Sequence, residues 1–271
     1  MEWRPLVAVA RKELRDRLRN RWVVAVAVVF AVFSLVIAYA GGAQQGTVGL
    51  RSIEFTIASL VSLVIYLVPL IALLLGFDAV VGERERGSLD LLLALPITRT
   101  ELLLGKYLGL AAALALAMLT GLAIVGVVLW RQFGTSGLYH YAGFVLSALL
   151  MGLAFLSLAV AVSVVARDRT RASGAAIALW FFFVLVFDLA LLGVLVATGG
   201  QVGGAAFPYL LLLNPADVFR VLNVFSLDDV SSFYGLTSLV PPALSDPWVM
   251  GGAMAGWIVV PLGLAIWRFR P

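Results

Sequence analysis

The sequence predicts an all-α integral membrane protein: six transmembrane helices preceded by an amphipathic helix lying in the membrane interface, in one domain over residues 1–271. Three observations carry this. The chain is 62% hydrophobic and only 13% charged, with a mean hydropathy of +1.06. That is about half the charge of a soluble domain, too little to cover a surface in water. Six apolar runs reach the roughly 20 residues that cross a hydrocarbon core as helix. Finally, the basic residues alternate between successive connections in the pattern that sets membrane orientation.

The first element precedes the first apolar run. At about 100° per residue, Trp3, Leu6, Val7, Ala10, Leu14 and Leu18 fall on one face of WRPLVAVARKELRDRLRNRW, and Arg11, Lys12, Arg15, Asp16 and Arg19 on the other. Such a helix lies in the lipid–water boundary with its cations toward anionic headgroups. A basic flank that only retained the terminus would need no apolar stripe.

The spans follow as Trp22–Ala40, Phe55–Phe77, Tyr107–Trp130, Tyr141–Ala166, Ala172–Ala197 and Trp248–Trp267, several with Trp or Tyr at their ends as boundary anchors. No period-2 alternation runs through them, which excludes barrel strands. The small residues Ala38-Tyr39-Ala40 resemble a signal-peptidase site, but the apolar core before them exceeds the usual 7–15 residues, so the run is expected to stay as a span. Lys and Arg number 7 before the first span, 4 in Asp78–Lys106, 3 in Arg167–Arg171 and 2 at the C-terminus, against one each (Arg51, Arg131, Arg220) in the other loops. Positive-inside bias therefore places both termini and the 78–106 segment in the cytoplasm. The net charge of +4 is explained by this distribution and does not point to nucleic acid. With no Cys and a single His, His140, disulfides and thiolate metal sites are excluded.

Between the second and third spans lies VVGERERGSLDLLLALPITRTE. Gly82 and Gly87 bracket Glu83, Arg84, Glu85 and Arg86 and permit tight turns. Ser88 is placed to cap a short helix over Leu89–Leu95 with Leu89, Leu92 and Leu93 on one side, ended by Pro96. Thr98 and Glu101 have the spacing of a capping box that starts the next long helix. A short helix with leucines and a mixed-charge rim suits docking of a soluble partner, with apolar anchors in a groove and charges fixing register.

The segment DAVVGERERGSLDLLLALPITRTELLLGKYLG resembles the coupling region of ABC-2-type permeases, with a type V exporter-like fold. The stretches VARKELRDRLRNRW, FFFVLVFDLALL and LLLLNPADVFRVLN resemble the branch that serves maturation of nitrous-oxide reductase. The resemblance implies a homodimer in a bacterial inner membrane, with a cytoplasmic ABC ATPase dimer touching Glu83 to Ser88 and Leu89, Leu92 and Leu93. It also implies a periplasmic β-helical protein outside, through which a copper chaperone lipoprotein and the reductase are reached. The chain itself holds no GxxxxGK[ST] phosphate loop, since Gly105-Lys106 is followed by Tyr107, so ATP and Mg belong to the partner ATPase and no cofactor is expected here.

Asp188 lies well inside the fifth span, roughly 25 Å from Arg171 along a helix. An aspartate at such a site costs about 2.5–3.5 kcal/mol on insertion scales, so it is expected to be partnered or protonated. It reads equally as a pathway or switch residue and as a carboxylate facing the dimer interior, tied to a neighbouring helix or loop; Arg220, the outer loop's only cation, is a possible partner. The Thr198–Pro247 loop is long for a connection. It holds two short segments, Tyr209–Leu213 and NPADVFRVLNVF, that suit a re-entrant or surface-lying pair. Its Asn214, Asp217, Phe219, Arg220, Phe225, Phe233 and Tyr234 are the expected contacts for the outer partner, and Asp217, Asp228, Asp229 and Asp246 favour a basic rim there. Aromatics at the lipid boundary would look alike. Met250 and Met254, four apart, have a spacing for Cu(I) thioethers, although such pairs more often pack, and no metal site is assigned. An exporter of a lipid, drug or polysaccharide is an alternative reading. A secondary transporter fits less well, since it would show inverted repeats and more intramembrane ionisable groups.

Overall fold

The computed structural model describes residues 3–19, 22–40, 53–135, 138–198, 207–224 and 246–269, and these are all helical or connecting. Helix α1 is Trp3–Arg19 and α2 Trp22–Ala40. Next come α3 Ile53–Gly76, the short α4 Val81–Glu85 and α5 Ser88–Leu93, then α6 Arg99–Phe133 and α7 Leu138–Val165. The fifth span, α8, is Arg169–Ala197. A 3₁₀ turn Phe207–Leu213 leads into α9 Pro215–Val224, and α10 is Pro247–Arg268. Among the described residues five helices are long and apolar enough to cross a membrane, and a sixth span arises if Trp3–Arg19 and Val23–Ile37, bent by 63°, count together.

Helices α6 and α7 form the centre. α1 and α2 lie along α6, α3 and α10 lie along α7, and α9 is inserted among α3, α7 and α10. The seat of α1 is glycine-made. A Cβ on Gly105 would lie 2.9 Å from Leu6 O and one on Gly109 2.6 Å from Ala10 O, so this GxxxG pair lets two backbones approach. The stripe of α1 turned to α6 is Leu6, Ala10, Glu13, Leu14 and Arg17, while Trp3, Val7 and Leu18 stay exposed. The predicted apolar face is thus divided. One edge packs on protein, and the other remains for lipid, as an interfacial helix requires.

Buried aromatics fill the middle, with Phe30, Phe144, Phe155 and Phe219 wholly enclosed. Two tyrosines tie α6 and α7 together: the Tyr141 hydroxyl donates to Leu122 O (2.7 Å) and that of Tyr107 to Leu153 O (3.2 Å). Met250 and Met254 are both buried in this apolar core.

The helix of the third span starts at its expected cap. The Thr98 capping box forms as the spacing predicts, with Thr98 Oγ1 accepting from Glu101 N (3.1 Å) and Thr98 N donating to Glu101 Oε2 (2.9 Å). The helix then runs unbroken for 35 residues, so the charged start of the span is already helical before the apolar run begins.

Candidate functional site

All the segments that the charge pattern assigns to one side meet at one end of the bundle. Lys106 on the second turn of α6 reaches Glu13 of α1 (3.2 Å) and Glu83 of α4 (2.6 Å), and Glu13 also pairs with Arg17 (3.2 Å). Lys106, Glu13 and Glu83 are each more than nine-tenths buried. Two cations and two carboxylates make the cluster neutral, which offsets the cost of removing the charges from water. Burial raises the Glu13 carboxyl, but Lys106 and Arg17 outweigh it and hold the group below the usual carboxylate range.

Around this cluster the 78–106 segment is fastened to the start of α8 and the end of α7. Arg84 donates to Ala166 O (2.8 Å) and Val164 O (3.2 Å). Ser163 Oγ accepts from Val80 N and Val81 N. Asp78 pairs with Arg169 (2.7 Å), and Glu85 accepts from Arg169 N (2.7 Å). At the same end Arg99 donates to Phe269 O (3.5 Å) beyond α10. A cavity of about 560 Å³ lies between α1, α4 and α8, lined by charged groups that include Lys12, Asp16, Arg86 and Arg169.

The short helices differ from expectation in three ways. Ser88 does not cap α5: its hydroxyl donates to Glu83 O (3.3 Å), and the cap position is Gly87 in the left-handed region (φ 68°), a conformation that favours glycine. Glu83 is not a rim charge but the buried partner of Lys106. Leu89 is 8% exposed, and Leu92 and Leu93 are half-buried against the core, so the predicted leucine face points into the permease. The outward side of the segment carries Leu91 on α5, 73% exposed, and Leu95 just after the helix, 54% exposed, beside Arg86 and Asp90.

A second polar network lies far from this end, on α8 and α9. Arg220 bridges Asp188 (2.9 Å) and Asp217 (2.7 Å), so the expected partner of Asp188 is the observed one. Asn214 caps α9 by accepting from Ala216 N (3.0 Å), with Pro215 at the first helical position. Its amide donates to Asp217 Oδ2 (2.9 Å) and to Phe183 O (2.8 Å). Phe183 lies in a π-helical turn, Phe182–Val186, that interrupts α8. Asn214 therefore bonds a carbonyl in the one irregular turn of this span. Trp257 Nε1 donates to Leu212 O (2.9 Å) and fixes the preceding 3₁₀ turn to α10.

This placement corrects the outer-contact reading. Asn214, Asp217 and Phe219 are buried, because α9 enters the bundle and uses them to hold itself there; only Arg220 of that group keeps substantial exposure. Phe225, Phe233 and Tyr234 lie outside the described residues. Two features escaped the sequence reading. Lys106 and Glu13 join α1 to the 78–106 segment; the signal was Glu13 lying in helical register with Leu6, Ala10 and Arg17, a carboxylate on an otherwise packed stripe. The π-turn left no mark in FFFVLVFD, but the Asn-Pro pair was a legible helix start.

Comparison with known proteins completes the picture. The model of the ABC-2 family transporter proteins matches residues 7–270. The probable ABC transporter permease protein NosY of Pseudomonas aeruginosa is 46% identical over 269 residues, covering 97% of this chain and 96% of that protein. The protein of the same name from Stutzerimonas stutzeri is 43% identical over 266 residues, with the same coverage.

Proposed function

The chain belongs to the ABC-2 transporter family as a membrane permease subunit, and from that premise we propose that its 78–106 segment is the docking surface of a cytoplasmic ABC ATPase. The observation that carries this reading is the outward ridge of Leu91 and Leu95 on a segment braced by Arg84, Asp78, Glu83 and Glu85 against α6, α7 and α8. Exposed leucines on a rigid mount fit a groove in a soluble partner, and Arg86 and Asp90 beside them fix register. Ion pairs and carbonyl bonds spread a push on this segment into α1, α6, α7 and α8.

The same reading sets both termini in the cytoplasm, because the basic segments gather at one end, and family membership supports a homodimer in a bacterial inner membrane. ATP and Mg act in the ATPase; this chain is a non-catalytic transmembrane subunit. The likeness to the two NosY proteins supports a role in assembling the copper–sulfur centre of nitrous-oxide reductase, with a NosF-like ATPase inside and a NosD-like β-helical protein outside. In this role Asp188, Arg220 and Asp217 hold the outer half of the permease in shape while the outer partner, and through it the copper chaperone and reductase, is engaged.

The test is Leu91→Asp with Leu95→Asp. Both side chains are exposed, so insertion and melting should match wild type. Co-purified ATPase should fall at least about tenfold, since desolvated apolar anchors contribute about 1–2 kcal/mol each to an interface. A full complement of ATPase on the double variant would refute the docking surface.

A further inference from the structure

The neutral ion cluster around Lys106 lies off the ATPase-facing ridge, and its shape suggests a separate task. We propose that Glu13 and Lys106 form an ionic joint that makes the N-terminal helix follow the docking segment when the ATPase binds nucleotide. This rests on the docking reading above and extends it to residues outside the docking surface.

Lys106 Nζ is the atom on which Glu13 of α1 (3.2 Å) and Glu83 of α4 (2.6 Å) converge, and among the described residues no other side chain pairs with both. Elsewhere α1 meets α6 through close apolar packing, with Val9 seated over Gly105 and the Glu13 stem over Gly109. Such packing holds α1 to α6 but does not tie it to α4. The ion pair, at one defined point, sets the register. Buried ion pairs stabilise little compared with apolar packing of the same volume, and their best-attested use is to specify register. α1 in turn bends by 63° into the first span, so a shift of α1 along α6 must reach α2. The joint thus connects the ATPase-facing segment to the first span without passing through the core.

The absence of cysteine in the chain makes the test direct. Ala8, exposed on the far side of α1, is changed to cysteine and spin-labelled in the complete permease–ATPase complex. The label-to-label distance across the dimer is then measured with and without a non-hydrolysable ATP analogue. Wild type should show a nucleotide-dependent distance change. In Glu13→Gln, which keeps the side chain's shape and the Lys106–Glu83 pair, that change should fall to less than half. Glu13→Leu should give the same result. ATPase co-purification and turnover are read on the same samples and should match wild type, which separates the joint from the docking surface. An undiminished distance change in both variants would overturn the proposal. So would loss of the ATPase from Glu13→Gln, because Glu13 would then serve assembly rather than transmission. Failure of the docking reading itself shows only in the Leu91/Leu95 double variant.

Discussion

Lys106→Met should destabilise the folded permease by about 3–5 kcal/mol, the cost of removing one partner from a buried ion cluster. Lys106 is 3% exposed and holds two carboxylates that are themselves buried. Without it, Glu13 keeps only Arg17, and Glu83, whose Oε2 already lacks a hydrogen-bond partner, faces a second negative charge in a low-dielectric site. Thermal unfolding in detergent reads the loss. Removing all the central charges together, as Glu13→Gln, Lys106→Met and Glu83→Gln, should recover most of it, because a neutral cluster of similar volume carries no desolvation penalty. Lys12→Met provides the scale: its pair with Asp16 is exposed on both sides, and such surface pairs contribute about 0–1 kcal/mol. If Lys106→Met melts with Lys12→Met, the cluster is not the fastening described.

Arg220→Met should cost about 3 kcal/mol, the lower end of the same range, because Arg220 keeps partial exposure. Its two carboxylates come from different elements, Asp188 on α8 and Asp217 on α9. Asp217 is 1% exposed, so losing the guanidinium leaves it with the Asn214 amide and the neighbouring Asp188 carboxyl. α9 would then lose its charged link to α8 beside the π-turn. Asp188→Asn should cost much less, about 1 kcal/mol, since the Arg220–Asp217 pair and the Asn214 bonds survive. Arg220→Lys should recover only part of the loss, because an ammonium does not reproduce a planar fork shared between two acids. Equal melting of Arg220→Met and wild type would remove the network from the forces holding α9 in place.

The parts of this fold written in local chemistry were legible in the chain itself. Apolar run length marked the spans, the Thr98–Glu101 spacing marked the start of α6, and Gly87 marked a tight turn. The Asp188–Arg220 pair followed from a charge that had to be neutralised and a loop offering one cation. What escaped depends on tertiary contact. A six-residue helix has two sides, and only the position of α5 against the core decides that Leu89, Leu92 and Leu93 face in while Leu91 and Leu95 face out. Likewise, the hydrophobicity of α1 has one broad stripe, and the glycines of α6, far along the chain, select which edge of it is buried. The entry of α9 into the bundle has the same origin: its Asn214 and Asp217 read as surface polar groups until Phe183 O and Arg220 are placed beside them.

The central claim is that the ATPase engages the ridge of Leu91 and Leu95. A photo-crosslinking amino acid placed singly at Leu91, Leu95 or Tyr139 in the native complex tests it most directly. Tyr139 is as exposed as the ridge but starts α7, at the opposite end of that helix from Ser163 and Val164, which contact the docking segment. Irradiation should join the ATPase to positions 91 and 95 and leave position 139 unjoined. Crosslinking of the ATPase from position 139, with none from 91 or 95, would contradict both the docking surface and the orientation of the chain in the membrane.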